Sequence, residues 1–335
     1  MEWQQIFDEY QIRPNYVEQI SDKVYKLITN TQNYCLKFSA LTKDQLGHWY
    51  AVYRYISESH VLGFVPLILT KENSPYYLID DQVIMVSPWI ESYRGDRPSD
   101  EWIASFHGLG KLHGSTLQNI EVNYSQDQLT EISQYFENDR KRKKEELLQY
   151  IRYFESKRFM APFELQACMH YRDLEWTMQM MDKWQYIYMD LLKDNQSRKV
   201  VLCHGNMKPS HYTLLNDNAY FLNWEYARMD FPSRDLSAYL NSLFTYHDCD
   251  MKKINEGLSI YFQYIRFHDI DKCELIFELL DPDPYLSLLT EYVNSTESDE
   301  IRRSIQLEKK YRQLLFSNQL EQLLYPQLEV NKEEV

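Results

Sequence analysis

The sequence changes its pattern once, near residue 90, from short runs of β-branched and aromatic residues to long amphipathic stretches. Before that point, strand-like runs lie at 24–28, 34–38, 65–69, 76–79 and 83–86. Residues 29–33, rich in Thr and Asn, have turn chemistry, which predicts a hairpin between the first two runs. A helix is expected from about 43 to 59. Pro88 is expected to close the last run, because proline cannot donate a hydrogen bond to a strand ladder.

Beyond this point helical periodicity dominates. Two long charged helices are predicted at 126–156 and 163–192, and short strands return at 200–203, 212–215 and 219–222. The pattern predicts an α+β chain with a β-rich N-lobe over 1–90, holding one main helix, and a helical C-lobe over 91–335. Many α+β proteins share such a pattern, so motifs must decide the family.

The charge of the chain argues against two classes of partner. Lys and Arg number 36 and Asp and Glu number 50, which gives a net charge of −14. A surface that acidic repels phosphate backbones and anionic lipids, so we expect no nucleic-acid binding and no membrane insertion. No apolar run approaches the roughly 20 residues that span a bilayer, and the first residues lack the features of a secretion signal. We therefore expect synthesis in the cytoplasm.

Three residue counts bear on the kind of site. The five cysteines are scattered and form no Cys-x-x-Cys pair, so we expect free thiols and no metal cage. Glycine occurs only eight times, which argues against a glycine-rich phosphate loop. Tyrosine occurs 28 times. These rings either fill core positions or form a packing surface in a larger assembly.

One series of motifs is specific. Residues 204–211 read His-Gly-Asn-Met-Lys-Pro-Ser-His and lie between two predicted strands. Asn223 and Glu225 follow the next strand, and Asp235 lies in the run Pro-Ser-Arg-Asp-Leu. The series resembles the aminoglycoside phosphotransferase/choline kinase family, in which the motifs are His-Gly-Asp, an acidic strand end and Pro-x-x-Asp-Leu. This resemblance implies a two-lobed protein-kinase-like fold.

Other segments resemble the same family in the same order, over roughly residues 20–245. Residues 109–113 look like its Leu-x-x-Leu-His helix, residues 85–90 look like its hinge, and Lys37 falls at its nucleotide-binding lysine. Within the family, the chain looks most like the spore-coat-associated CotS/YsxE/YutH type of endospore-forming bacteria, and most of all like YsxE. That narrower resemblance rests on residues 24–26, the hinge and a weakened His-Gly loop.

The resemblance also shows which chemical groups are replaced. The position of the general base is Asn206, and a neutral amide cannot accept the proton of an alcohol. The positions of the two metal ligands are His211 and Asn223, although Mg²⁺ prefers anionic oxygen ligands. Glu225 remains as a vestigial metal position, as Lys37 does for the nucleotide. We therefore expect no active catalytic residues, no bound metal and no cofactor.

The nucleotide-binding half departs from the family as well. No glycine precedes Gly47, and residues 21–23 form a turn without one. The following helix has no glutamate near residue 50, so Lys37 is expected to lack an acidic partner. Two positions are expected to be structural. His204 is a buried, hydrogen-bonded brace of the loop, and Asp235 caps a helix that begins at Leu236 and ties back to the same loop.

Two functions follow from these observations. The first is a catalytically degenerate, kinase-like protein that binds or assembles with other proteins, as a component of a bacterial spore coat. The alternative is an atypical ATP-dependent small-molecule phosphotransferase that recruits Glu225 and another acid for Mg²⁺. ATP and Mg²⁺ are expected only under the alternative.

Overall fold

The computed structural model describes residues 3–91, 98–194, 197–215, 218–245, 249–295 and 299–324. Their helices are α1 Trp3–Glu9, α2 Lys43–Glu58, α3 Pro98–Ser115, α4 Gln126–Glu155, α5 Pro162–Asp194, α6 Pro232–Leu243, α7 Met251–Tyr264, α8 Asp269–Leu279, α9 Asp283–Asn294 and α10 Glu300–Leu324. Their strands are β1 Tyr16–Ser21, β2 Val24–Ile28, β3 Tyr34–Phe38, β4 Tyr77–Ile79, β5 Gln82–Pro88, β6 Gln118–Glu121, β7 Ser197–Cys203, β8 Tyr212–Leu215, β9 Asn218–Phe221 and β10 Arg228–Asp230. The predicted fold class is confirmed: a small antiparallel sheet forms the N-lobe, and the C-lobe is mostly helical.

The amino-terminal sheet has the strand order β1-β2-β3-β5-β4, and every neighbouring pair is antiparallel. Side chains alternate between the two faces of a strand. In β3, Leu36 and Phe38 are therefore buried on the face that packs with Ile6 and Tyr10 at the amino terminus. Lys37 lies between them in sequence and points to the opposite face. The strand thus places its one basic side chain away from the core.

Five strands were predicted in this region, and five are present, but one member of the set was wrong. Residues 65–69 form no strand. Pro66 has no N–H to donate to a ladder, and Ile68 makes an isolated backbone hydrogen bond of 2.8 Å to the Val86 carbonyl. The fifth strand is β1, which the sequence analysis missed. Strand β5 ends at Pro88, as expected, although Pro88 itself is still paired with Tyr34.

The chain forms two compact units by its internal contacts. The first unit comprises 1–117, 202–229 and 256–265, and the second unit comprises 118–201, 230–255 and 266–335. The predicted lobe boundary near residue 90 stays a prediction.

Within the first unit, the β8–β9 hairpin is attached to the loop that follows α2. The Phe221 N–H donates to the Gly63 carbonyl over 2.7 Å, and Gly63 adopts a φ of 79°. A Cβ there would lie 2.9 Å from the Ala219 carbonyl oxygen, so this approach requires glycine. The attachment fixes the end of β9, where Asn223 and Glu225 follow.

The second unit is built on the antiparallel pair α4 and α5. Its core joins apolar residues of both helices, such as Phe154 and Leu174, to Leu289 of α9 and Leu314 of α10. Strands β6 and β7 form a short antiparallel ladder in the register Gln118↔Val200. Across the described residues, we find no helix with the length and apolar character that a membrane crossing requires.

Candidate functional site

The loop after β7 is held by a histidine and a glycine. His204 is fully buried, and its Nδ1 accepts the Asn206 N–H over 3.3 Å. Its Nε2 therefore carries the proton, which it donates to the Leu222 carbonyl over 2.6 Å. Gly205 has a φ of 77°, and a Cβ there would lie 2.1 Å from the Tyr226 carbonyl oxygen. The backbone path of this loop therefore depends on both residues.

His211 is tied to the same loop. Its Nδ1 donates to the Asn206 carbonyl over 2.8 Å, because a carbonyl oxygen can only accept. Burial lowers the pKa of His211 to about 4, and the nearby Lys208, His204 and Lys37 act in the same direction. The ring is therefore uncharged at neutral pH. Asn206 uses its backbone N–H and carbonyl in these two bonds.

Asn223 follows β9 in the left-handed region, with φ 67° and ψ 56°. Asparagine tolerates this conformation better than most residues, and such conformations are concentrated at functional sites. The next residue, Trp224, donates its indole N–H to the Phe221 carbonyl over 2.8 Å. This tight corner places the amide of Asn223 beside the carboxylate of Glu225.

Lys37 is not unpaired, contrary to the expectation from sequence. Its ammonium donates to Asn223 Oδ1 and forms an ion pair with Glu225 Oε1. The Ser39 hydroxyl also donates to Glu225 Oε1, over 3.2 Å. Burial alone would raise the pKa of Glu225, but Lys37 and Ser39 hold this pKa below its ordinary value. The carboxylate is therefore ionised, and its charge is neutralised within the site.

A cavity of about 330 Å³ opens beside this cluster, within the first unit. Lys37, Asn223 and Glu225 contribute polar atoms to its lining. Most of the remaining lining is apolar: Ile20, Val24, Trp49, Val52, Tyr53, Ile56, Phe64, Val65, Leu67, Met85, Val86, Trp89, Phe221, Leu222 and Trp224. The helix that was expected to lack a glutamate thus faces the cavity with aromatic and aliphatic side chains.

Sequence reasoning missed two parts of this site. Ser39 lies two residues after Lys37, so strand alternation would have placed both on one face. Trp49, Tyr53 and Ile56 recur at helical spacing, which could have indicated one apolar face of α2. Neither pattern by itself indicates a cavity.

The available donors do not match a magnesium-bound nucleotide. Mg²⁺ is held in proteins mainly by carboxylate oxygens and water. The positions concerned here carry the amide of Asn223, the uncharged imidazole of His211, and a carboxylate at Glu225 that already pairs with Lys37. That pairing also neutralises the ammonium that would meet phosphate oxygens.

Asp235 lies in the second unit, and its predicted position needs a correction. Helix α6 begins at Pro232, so Asp235 is the fourth residue of the helix and not its N-cap. Proline favours the first helical position, since it has no N–H to satisfy there, and this explains the earlier start. Asp235 is nevertheless buried. Its predicted tie to the 204–211 loop stays a prediction.

Comparison with known proteins places this geometry in context. The model of the phosphotransferase enzyme family, APH, matches residues 15–251. No curated protein sequence matches the chain.

Three solved structures illustrate the similarity. The aminoglycoside phosphotransferase of Alicyclobacillus acidocaldarius has a TM-score of 0.69 and 14% identity, and 96% of each chain is covered. A microcompartment-associated aminopropanol kinase has a TM-score of 0.57 and 8% identity, covering 94% of this chain and 95% of that chain. An AMP-bound spectinomycin phosphotransferase has a TM-score of 0.55 and 14% identity, covering 92% and 96%. At these identities the similarity establishes the fold alone.

Proposed function

The chain belongs to the phosphotransferase enzyme family, and from this premise we propose that it is a catalytically degenerate, kinase-like member that works as a binding or assembly protein. Phosphoryl transfer requires a positioned nucleotide, metal neutralisation of its charge and a residue that orients or deprotonates the acceptor. Amides stand at 206 and 223, and an uncharged imidazole stands at 211. The amides cannot accept a proton, the imidazole of His211 is a weak base because burial lowers its pKa to about 4, and none of the three groups is an anionic metal ligand.

The observation that supports the proposal most is the cluster of Lys37, Asn223 and Glu225. In it, the remaining carboxylate and the remaining ammonium of the site neutralise each other. Their side chains are 5% exposed for Glu225 and 22% exposed for Lys37, so solvent screens the pair only weakly. Binding of Mg²⁺ and nucleotide would have to break this pair, which weakens the alternative function.

The test is thermal unfolding of the purified protein with increasing Mg·ATP, together with an assay for ADP release. We expect no change in melting temperature and no ADP. A nucleotide present at 100 times its Kd would add about 2.7 kcal/mol to the unfolding free energy, a shift that is easily measured. Saturable stabilisation together with ADP release would establish the atypical phosphotransferase instead.

The narrower part of the proposal concerns the place and partners of the protein. The motif resemblance to spore-coat-associated proteins supports a role among coat proteins of an endospore-forming bacterium. Exposed tyrosines at 16, 135, 186 and 226 provide aromatic contact area for protein partners. An antibody against the chain should detect it in the coat extract of purified spores. Detection in vegetative cells alone would contradict this role.

A further inference from the structure

We propose that the cavity of the first unit binds an uncharged, planar aromatic small molecule in place of a nucleotide. The inference rests on the proposed function. If the site performs no phosphoryl transfer, its cavity is free to bind a different class of ligand. It is carried by the shape and composition of the cavity wall and by the charge of the lining.

The wall is aromatic on one side. Trp49 and Tyr53 of α2 stack with ring centroids 5.4 Å apart, and Tyr53 meets Phe64 edge-on at 6.0 Å. Phe64 in turn meets Trp224 edge-on at 5.7 Å. We call these four residues the aromatic wall. Aromatic rings recognise other rings by stacked and edge-to-face contacts, so the wall favours a planar aromatic ligand over an aliphatic one.

The wall is also held firmly. Trp224 donates its indole N–H to the Phe221 carbonyl, and its ring meets the buried His204 edge-on at 5.0 Å. Trp49 is buried at 5% exposure, and its ring meets Tyr76 edge-on with the centroids 6.0 Å apart. Binding to a preformed wall avoids the entropic cost of ordering loose side chains.

The lining carries no net charge. Lys37 and Glu225 are the charged residues among those that line the cavity, and they form an ion pair with each other. An anionic ligand would need an unpaired cation to offset its desolvation, and here the ammonium already has two acceptors. An uncharged ligand can occupy the apolar part of the cavity and leave the pair intact.

The size of the cavity fits the same class. At about 330 Å³ it lies near the lower end of the range of about 300–1,000 Å³ for small-molecule pockets. Polar side chains at Ser21, Ser87 and Ser210 line it and can each hydrogen-bond a single ligand substituent. This composition suits a compact ring system with few polar groups.

The test compares two dyes that share one ring skeleton. N-phenylnaphthylamine is uncharged, and anilinonaphthalene sulfonate adds one anionic group. Both fluoresce on entering an apolar site, so fluorescence titration of the purified full chain gives both Kd values. We expect the uncharged dye to bind at least ten times more tightly. Equal or weaker binding of the uncharged dye would overturn the proposal.

A matched pair of variants locates the dye. Val52 lines the cavity, whereas Ala51, its neighbour on α2, is exposed to solvent. Val52→Phe should fill part of the cavity and weaken binding of the uncharged dye at least tenfold, while Ala51→Phe should leave its Kd within a factor of two. Equal effects of the two substitutions would place the dye elsewhere and overturn the assignment.

A second variant covers the case in which Val52→Phe does not fold. Glu225→Gln removes the acid and leaves Lys37 as an unneutralised cation beside the cavity. The affinity of the sulfonated dye should then rise at least tenfold relative to that of the uncharged dye. No gain for the sulfonated dye would contradict the charge argument.

The two proposals fail in distinguishable ways. ADP release by the unmodified protein would refute the proposed function. Absence of both ADP release and dye binding would refute the ligand assignment alone.

Discussion

The protonation of a single residue, His211, depends on the charges and the burial of the loop. Its ring is half-buried, donates from Nδ1 to the Asn206 carbonyl and lies near Lys208 and Lys37. Adding a proton would place a cation among other cations in a poorly solvated position. Burial therefore lowers the pKa of His211 from its usual 6.5 to about 4, although the bond to the Asn206 carbonyl acts against this shift.

This shift predicts a pH-dependent stability. Between pH 6.5 and 4 the unfolded chain protonates this histidine and the folded chain does not, so the unfolding free energy falls as the pH falls. His211→Asn should remove that part of the slope. The difference should stay below the limit of about 1.4 kcal/mol per pH unit, because solvent partly screens the ring. Urea unfolding of both proteins from pH 7.5 to 4 measures it.

His170 provides the internal control for this measurement. Burial also lowers its pKa to about 4, so it contributes a slope of the same sign in both proteins and cancels in the difference. Parallel stability curves for the unmodified protein and His211→Asn would show that His211 is not held neutral by the fold.

The structure brings Lys37, Asn223 and Glu225 together, but the sequence did not predict how they pair. The motifs placed Asn223 and Glu225 correctly after β9, because they follow a short strand in order. The partner of Lys37 was sought near residue 50 of α2, where there is no acid, since Asp44 and Glu58 lie at the two ends of that helix. The actual partner, Glu225, lies 188 residues away in sequence. Such a contact depends on the tertiary structure, which no local pattern encodes.

At the scale of elements, α6 and α8 of the second unit are joined by polar contacts in a buried position. Ser233 and Ser237, one turn apart on α6, donate to Glu274 and Glu278 on α8 over 2.8 and 2.7 Å. Arg198 of β7 forms an ion pair of 2.8 Å with Glu274. A buried carboxylate requires such partners, since it would otherwise be left charged without solvation.

Removal of Arg198 alone should therefore lower the unfolding free energy more than removal of both charges of the pair. Arg198→Met leaves Glu274 buried without its cation and should reduce the unfolding free energy by about 3–5 kcal/mol. Adding Glu274→Gln keeps an acceptor for Ser233 and removes the charge, so the double variant should regain about 2 kcal/mol or more. Urea unfolding at pH 7 measures both variants.

Lys141→Met on α4 is the matched surface control. Lys141 and Glu145 form an exposed pair of 3.9 Å in the same unit, so this change should cost less than about 0.5 kcal/mol. If Arg198→Met and Lys141→Met lowered the unfolding free energy by similar amounts, the Arg198–Glu274 pair would not stabilise the unit.

Elements with a strong apolar period were predicted well. The limits of β2 and β3 match their predicted runs, and the ends of α4 and α5 lie within two residues of the predicted ones. Strand β1 was missed because it is a largely exposed edge strand with polar residues at half of its positions, and so lacks an apolar alternation. Its pairing with β2 is made by backbone hydrogen bonds, which the side-chain pattern of the sequence does not reveal.

At the scale of the whole molecule, fold and activity depend on different residues. The apolar pattern that builds the sheet, the helices and their cores tolerates very different sequences, so the fold can be recognised at low identity. The chemistry depends on a few polar positions and on the cavity wall behind them. Under the proposed function, Asn206, His211 and Asn223 are the positions that have departed from the family motifs, while the fold is retained.

This dependence predicts that restoring the two acids will not restore activity. Asn206→Asp with Asn223→Asp places carboxylates at the positions that the motif resemblance assigns to the base and the metal ligand. The carboxylate introduced at position 223 would, however, lie within reach of the Lys37 ammonium, which already contacts that side chain and Glu225. Two carboxylates beside one cation would pair with it before they bound Mg²⁺, and the aromatic wall would still favour an uncharged ligand. We expect no ADP release above the background of the unmodified protein under saturating Mg·ATP.

Asn206→Asp alone serves as the control for an added charge. Turnover by the double variant and not by this control would show that the nucleotide-binding half is intact, and that two amides alone silence the protein.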